Sequence, residues 1–342
     1  MHNDIPEVFE SLKDLINDDK SQREQLTLKF LKQQIESNQI EDLILAISKY
    51  KKLKSLTINI EKHRFGPDKV TKILQEISSC FPNLNYLNLN LDDNLLKDIG
   101  SSKLGQAFGQ HFSNLTSLTL FFKKNSIQEI GASGIGIGIG QCLNLEYLSL
   151  DFELNIIGDS GVKGLALGLS ECVKLSQLIL CLDGNKIGDY GAIALGEGIS
   201  CLKNLKFLNI FMMQQIAFFY QFQIIQYKKN NLILFSQNLN INLIFVKQYL
   251  LMLRQNKIKC KGLSGLSQGI QNCSNLNSLY LHLMMNEIQY EGLANFSKNI
   301  IKCQRLSFLF ISLYMNKIEV YNLNVLRKVK KLKRLVRNFI LF

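Results

Sequence analysis

The chain has 342 residues, 46% apolar and 20% charged, with a formal charge of +12. That composition reads as a folding chain and excludes a disordered one. Seven of the positive charges (Arg327, Lys328, Lys330, Lys331, Lys333, Arg334 and Arg337) lie together near the C-terminus with no acid among them, so the basic balance is largely local and does not by itself argue for nucleic acid.

Residues 1–49 read as a helical N-terminal cap. Leu12, Leu15 and Ile16, and then the stretch from Leu26 to Leu45, are spaced as in amphipathic helices. Met1 to Glu10 hold three acids and no apolar run, so no secretory signal is expected. No apolar run of 18 residues free of polar side chains occurs, so a membrane-spanning helix is not expected either.

Repeats fill residues 50–320. Their opening leucines are Leu53, Leu84, Leu115, Leu145, Leu175, Leu205, Leu276 and Leu306, at steps of 31, 31, 30, 30, 30, 71 and 30 residues. Strict alternation follows each opening, as in Leu87/Leu89/Leu91, Leu118/Leu120/Phe122 and Leu148/Leu150/Phe152. Period two over five residues means a strand with one buried face. Ten residues after the opening leucine stands an Asn in six of the repeats (Asn94, Asn125, Asn155, Asn185, Asn286 and Asn316). Its amide can satisfy backbone groups of the adjoining coil, which no apolar side chain can do. Ile-Gly-Asp-x-Gly comes next in two repeats, and then an apolar period of three to four through Leu165, Leu169 and Cys172. The unit is therefore strand, turn, helix and return.

The 71-residue step is one repeat plus 41 extra residues, 213–253, after which the pattern resumes at Asn256. This stretch has no Gly and no acid, but seven Gln. It reads as a retained AT-rich intron, translated under a code in which stop codons are read as Gln, in preference to a long functional loop. Residues 321–342 read as a capping helix, with Leu326, Val329, Leu332 and Leu335 every three residues and the basic residues between them. A nuclear-targeting or anionic-membrane patch is the sharper alternative for this basic tail.

Taken together, the repeat length, the leucine pattern and the Asn resemble the leucine-rich-repeat proteins of the ribonuclease-inhibitor-like class. The interval from opening Leu to Asn is two residues longer than is usual in that class, a variant similar to repeats in ciliate proteins. The resemblance implies an α/β solenoid, a curved horseshoe with parallel strands on the concave side and helices on the convex side.

Chemistry is nearly silent. Six of the eight Cys stand three or four residues before an opening leucine, so packing sets them. Reduced thiols and a cytoplasmic or nuclear location are expected. The glycine run 131–140 aligns with the helix half of the next repeat and lacks the strand–loop–helix context of a phosphate loop. The four His are scattered without metal-ligand spacing, and no catalytic motif occurs. No enzyme activity, metal or cofactor is expected.

The outward residues of the strands carry the functional signal. Tyr86, Phe121, Tyr147, Phe207, Phe211, Tyr280, Phe308 and Phe310, with Asp151 and His282, stand among small polar groups and only one of them is an acid. Aromatic side chains in such surroundings have the composition of binding hot spots. A protein ligand on the concave face is expected, through a non-enzymatic scaffold. Nucleic acid is not expected as a partner, because the face is near neutral, and a membrane span is not expected for want of a long apolar run. Two alternatives stand beside this: a small-GTPase regulator resembling the Ran GTPase-activating proteins, drawing on Lys123, Lys124, Asp159, Asp183 and Asp189 at the strand-to-helix edge, and anionic-surface or nucleic-acid association through the basic tail.

Overall fold

The computed structural model describes residues 8–19, 21–30, 35–213, 256–318, 329 and 337–341. The expected insertion, apart from Met213, lies outside these, as do Arg327, Lys328, Lys330, Lys331, Lys333 and Arg334.

Eight repeat strands follow the eight opening leucines: β3 (Ser55–Asn59), β4 (Tyr86–Asn90), β5 (Ser117–Phe121), β6 (Tyr147–Asp151), β7 (Gln177–Cys181), β8 (Phe207–Phe211), β9 (Ser278–His282) and β10 (Phe308–Ser312). Together with β1 (Val8–Phe9), β2 (Gln25–Lys29) and β11 (Arg337–Leu341), they form one sheet of 11 strands in sequence order. Every pairing is parallel and each repeat strand is in register with the next, Leu118 against Leu148 and Leu148 against Leu178. The helices are α1 (Leu12–Asn17), α2 (Ile40–Ser48), α3 (Gly66–Cys80), α4 (Lys97–His111), α5 (Glu129–Gly140), α6 (Gly158–Glu171), α7 (Asp189–Ser200), α8 (Cys260–Ile270) and α9 (Tyr290–Ile300). Inward strand leucines and the apolar faces of the helices bury one continuous core. Strand–helix units on a single open parallel sheet make this an α/β leucine-rich-repeat solenoid.

Two expectations need correction. The N-terminal region is not a helical cap throughout: Leu26 and Leu28 of β2, and Phe30 just beyond it, are all buried, and β2 pairs with β3 in the register of a repeat. Their spacing is two, and the period of two prevails over the looser helical reading of Leu26 to Leu45. At the other end, Arg337 opens strand β11 beside Phe308 and so is not in a capping helix.

The Asn forms a ladder. Asn125 Nδ2 donates to Leu91 O at 2.7 Å, while its Oδ1 accepts from the backbone of Asn94 at 3.0 Å and Leu96 at 3.2 Å. Asn155 repeats the arrangement one unit on, donating to Phe122 O at 2.8 Å. These backbone groups are buried and have no sheet partner to turn to, so the amide satisfies both signs at once. The residue before the Asn takes the left-handed conformation, with φ of +53° at Asp93, +56° at Lys124 and +58° at Leu154.

The ladder crosses the insertion without a break. Asn256 Oδ1 accepts from Asn185 N at 3.1 Å and Ile187 N at 2.8 Å, and its Nδ2 donates to Met213 O at 3.2 Å. β8 pairs with β9 as any neighbouring repeats do.

The cysteine position is three residues before the opening leucine, where Cys142, Cys172, Cys273 and Cys303 are buried. Cys80 and Cys201 stand four before it; Phe81 and Leu202 take the buried place, leaving Cys80 half-buried and Cys201 exposed. All eight cysteines are free thiols. Burial pushes the Cys142, Cys172 and Cys273 thiols up to about 12.

Candidate protein-binding face

Strand alternation places Tyr86, Phe121, Tyr147, Phe207, Phe211, Tyr280, Phe308 and Phe310 on the outward face, all half-buried. His282 is more enclosed than a surface reading implies, at 6% exposure.

The sheet register brings six of the ten expected residues into one ring cluster. Phe207 lies 5.3 Å from Tyr280, and Tyr280 stacks on Phe308 at 4.6 Å. Tyr280 and Phe310 are 6.2 Å apart. Phe211 stacks on His282 at 4.1 Å with the planes 13° apart, and His282 meets Phe310 at 4.8 Å. Such offset and tilted ring pairs contribute about 0.5–1.5 kcal/mol each beyond area burial. Burial between rings pushes the His282 imidazole down to about 4, so it is neutral at physiological pH.

The other four do not join the cluster. Tyr86 and Tyr147 both lie opposite Ser117, on either side of it, and Phe121 lies opposite Asp151. Among the described residues no ring contact links Tyr86, Phe121 or Tyr147 to another ring.

Asp151 belongs to a second grouping, at the strand-to-helix edge, that one-dimensional spacing hides. Asp151 and Cys181 are cross-strand partners, and with Glu153 they bring potential ligand atoms within 4.8 Å of one another. Lys123 Nζ already pairs with Glu153 Oε2 at 2.7 Å, and Asp151 accepts from Glu153 N at 2.8 Å. Burial raises Asp151 and also Glu153, where Lys123 partly offsets it. Burial alone would lower Lys123, but the hydrogen bond and charge of Glu153 outweigh it and its ammonium is held above its ordinary value.

The remaining edge acids serve the backbone. Asp183 Oδ1 accepts from Met213 N at 2.6 Å, and burial pushes its carboxyl up to about 8. Asp159 accepts from Gly188 N at 2.7 Å, and Asp189 from Lys259 N at 2.7 Å and Gly262 N at 2.8 Å. Asp159 and Asp189 each stand in the first turn of their own helix and tie the entry of the next, where the helix dipole favours them.

No family model and no curated protein matches the chain. Solved structures resemble it loosely. One is a protein from Bacteroides fragilis, 14% identical over 92% of this chain and 74% of that one, with a TM-score of 0.36. Another is the Rad7 and Elc1 complex in yeast, 16% identical over 94% of this chain and 73% of that one, with a TM-score of 0.39. The fold assignment rests on the chain's own strands, register and ladder. No helix among the described residues is long and apolar enough to cross a membrane.

Proposed function

We propose that this chain is a scaffold of the ribonuclease-inhibitor-like repeat class that binds a protein through the outward face of its strands and carries out no chemistry of its own. The observation that carries this is the cluster of six rings across β8, β9 and β10, half-buried apart from the enclosed His282. A preformed sheet presents them with little ordering to oppose binding. Aromatic side chains with few rotamers are the residues that dominate such interfaces. Eight free thiols agree with a reducing compartment, cytoplasmic or nuclear.

The GTPase-regulator reading draws on edge residues that are already engaged within the fold: Asp159, Asp183 and Asp189 by backbone N–H groups, Lys123 by Glu153. Nothing in their arrangement singles out a group for a partner's active site.

The test compares three versions of the full chain in a pull-down. They are the wild type, a Tyr147→Ala/Phe207→Ala/Phe308→Ala variant, and one with the basic residues of 327–337 neutralised. A partner identified with the wild type, then re-bound with purified components, is expected to be lost by the second and kept by the third. The opposite pattern moves the function to the tail.

A further inference from the structure

The strands that carry the ring cluster differ from the rest of the sheet in a second respect. Among the described residues four buried side-chain polar atoms lack a hydrogen-bond partner, and three of them (Asn209 Oδ1, His282 Nδ1 and Ser312 Oγ) sit on β8, β9 and β10. All three project from outward strand positions, among the rings and not in the leucine core. An unpartnered buried polar atom forfeits its hydration without replacement, and native proteins hold few of them. Three on adjacent strands of one face is a concentration that folding alone does not require, because nothing in the repeat pattern fixes Asn209 or Ser312 at these positions.

The same positions are uncharged. No Asp, Glu, Lys or Arg occurs anywhere in β8, β9 or β10. A charged side chain laid on these three strands would lose its hydration and find no counter-charge within them. An uncharged one would keep its apolar contact with the rings. The surface therefore selects by charge as well as by shape.

We propose that β8, β9 and β10 form the docking site for an extended, uncharged segment of a partner protein. Its apolar side chains lie on the rings, and a hydrogen-bond donor meets Asn209 Oδ1, whose half-buried side chain can turn toward it. Three strands span about 10 Å at the usual strand spacing, which suits one extended segment and not a helix bundle or a second sheet. This rests on the reading that the strand face binds protein, and narrows it to three of the eight repeat strands and one class of ligand chemistry.

The experiment selects linear peptides from a displayed random library on the full chain, then measures a selected synthetic peptide against variants by calorimetry. Selected sequences are expected to be uncharged and rich in apolar and aromatic residues. Asn209→Ala is expected to weaken binding about tenfold, while the unfolding midpoint stays level or rises, because an orphaned acceptor has gone. A residue with a purely structural role would not separate the two readouts in that direction. Phe310→Leu is expected to weaken binding too, and Tyr86→Ala to leave it unchanged. Charged sequences, an affinity indifferent to Asn209→Ala, or a selection that yields no binding peptide overturns the proposal. Peptides lost on Tyr86→Ala or Tyr147→Ala but kept by Asn209→Ala overturn it while leaving the strand face as the binding surface. Indifference to all four variants overturns both.

Discussion

A single amide closes most turns of the solenoid. Asn155 donates to Phe122 O at 2.8 Å and accepts from Asn125 N at 3.1 Å and Ile127 N at 3.0 Å. Asn155→Ala leaves two donors and an acceptor buried and unpaired, and urea unfolding is expected to show a loss of about 3 kcal/mol. Asp92 behaves differently. Its carboxyl is raised to about 7, by burial first and the charge of Asp151 second. In the unfolded chain it ionises near its ordinary value of 3.8. Between these values the folded state holds the extra proton, so stability falls as pH rises. Asp92→Asn is expected to flatten that fall, gaining on the wild type as pH rises from about 4 to about 7; unfolding curves that stay parallel would contradict it. The sequence announced the Asn, because its interval recurs. It did not announce the raised carboxyl, because Asp92 and Asp151 meet only through strand register, and the spacing of acids along the chain carries no trace of it.

At the scale of the element, strands were more legible than helices. Alternation at Leu118, Leu120 and Phe122 fixed the inward face, with Phe122 still buried one residue beyond β5. The same alternation at Leu26, Leu28 and Phe30 was present but lay beside helical spacing, and only pairing with β3 decides between them. The glycine run showed the converse. It lies in helix α5 as its alignment implied, but a helix weakened by glycine is only part of the account. A Cβ on Gly138 would overlap the carbonyl of Gly105 in the neighbouring helix, so the glycines let α4, α5 and α6 approach closely. Gly138→Ala, a gain in helix propensity, is therefore expected to destabilise the protein by about 1–3 kcal/mol in thermal unfolding. A rise in stability would show that propensity and not contact governs the run.

For the whole molecule, the repeat frame holds on either side of the insertion: β8 pairs with β9, Met213 bonds Asp183 and Asn256, and Asn256 takes its place in the ladder. Removal of residues 213–253 restores the ten-residue interval between Leu205 and Asn256. The shortened chain is expected to unfold cooperatively at a midpoint no lower than the full chain's. Transcript sequencing across the region is expected to find a message without the extra codons, and a message that carries them refutes the retained-intron reading. The outward face of the strands was legible residue by residue, from the alternation of leucines and aromatics. Its division into a ring cluster and isolated rings was not, because the insertion parts Phe207 from Tyr280 in sequence while the sheet sets them 5.3 Å apart. The most direct test of a strand face that binds protein is hydroxyl-radical footprinting of the full chain with and without its captured partner. Oxidation of Phe207, Phe211 and Phe310 is expected to fall several-fold in the complex. Unchanged oxidation there, with protection confined to helix residues such as Tyr190 and Ile137 or to the basic tail, would contradict the account.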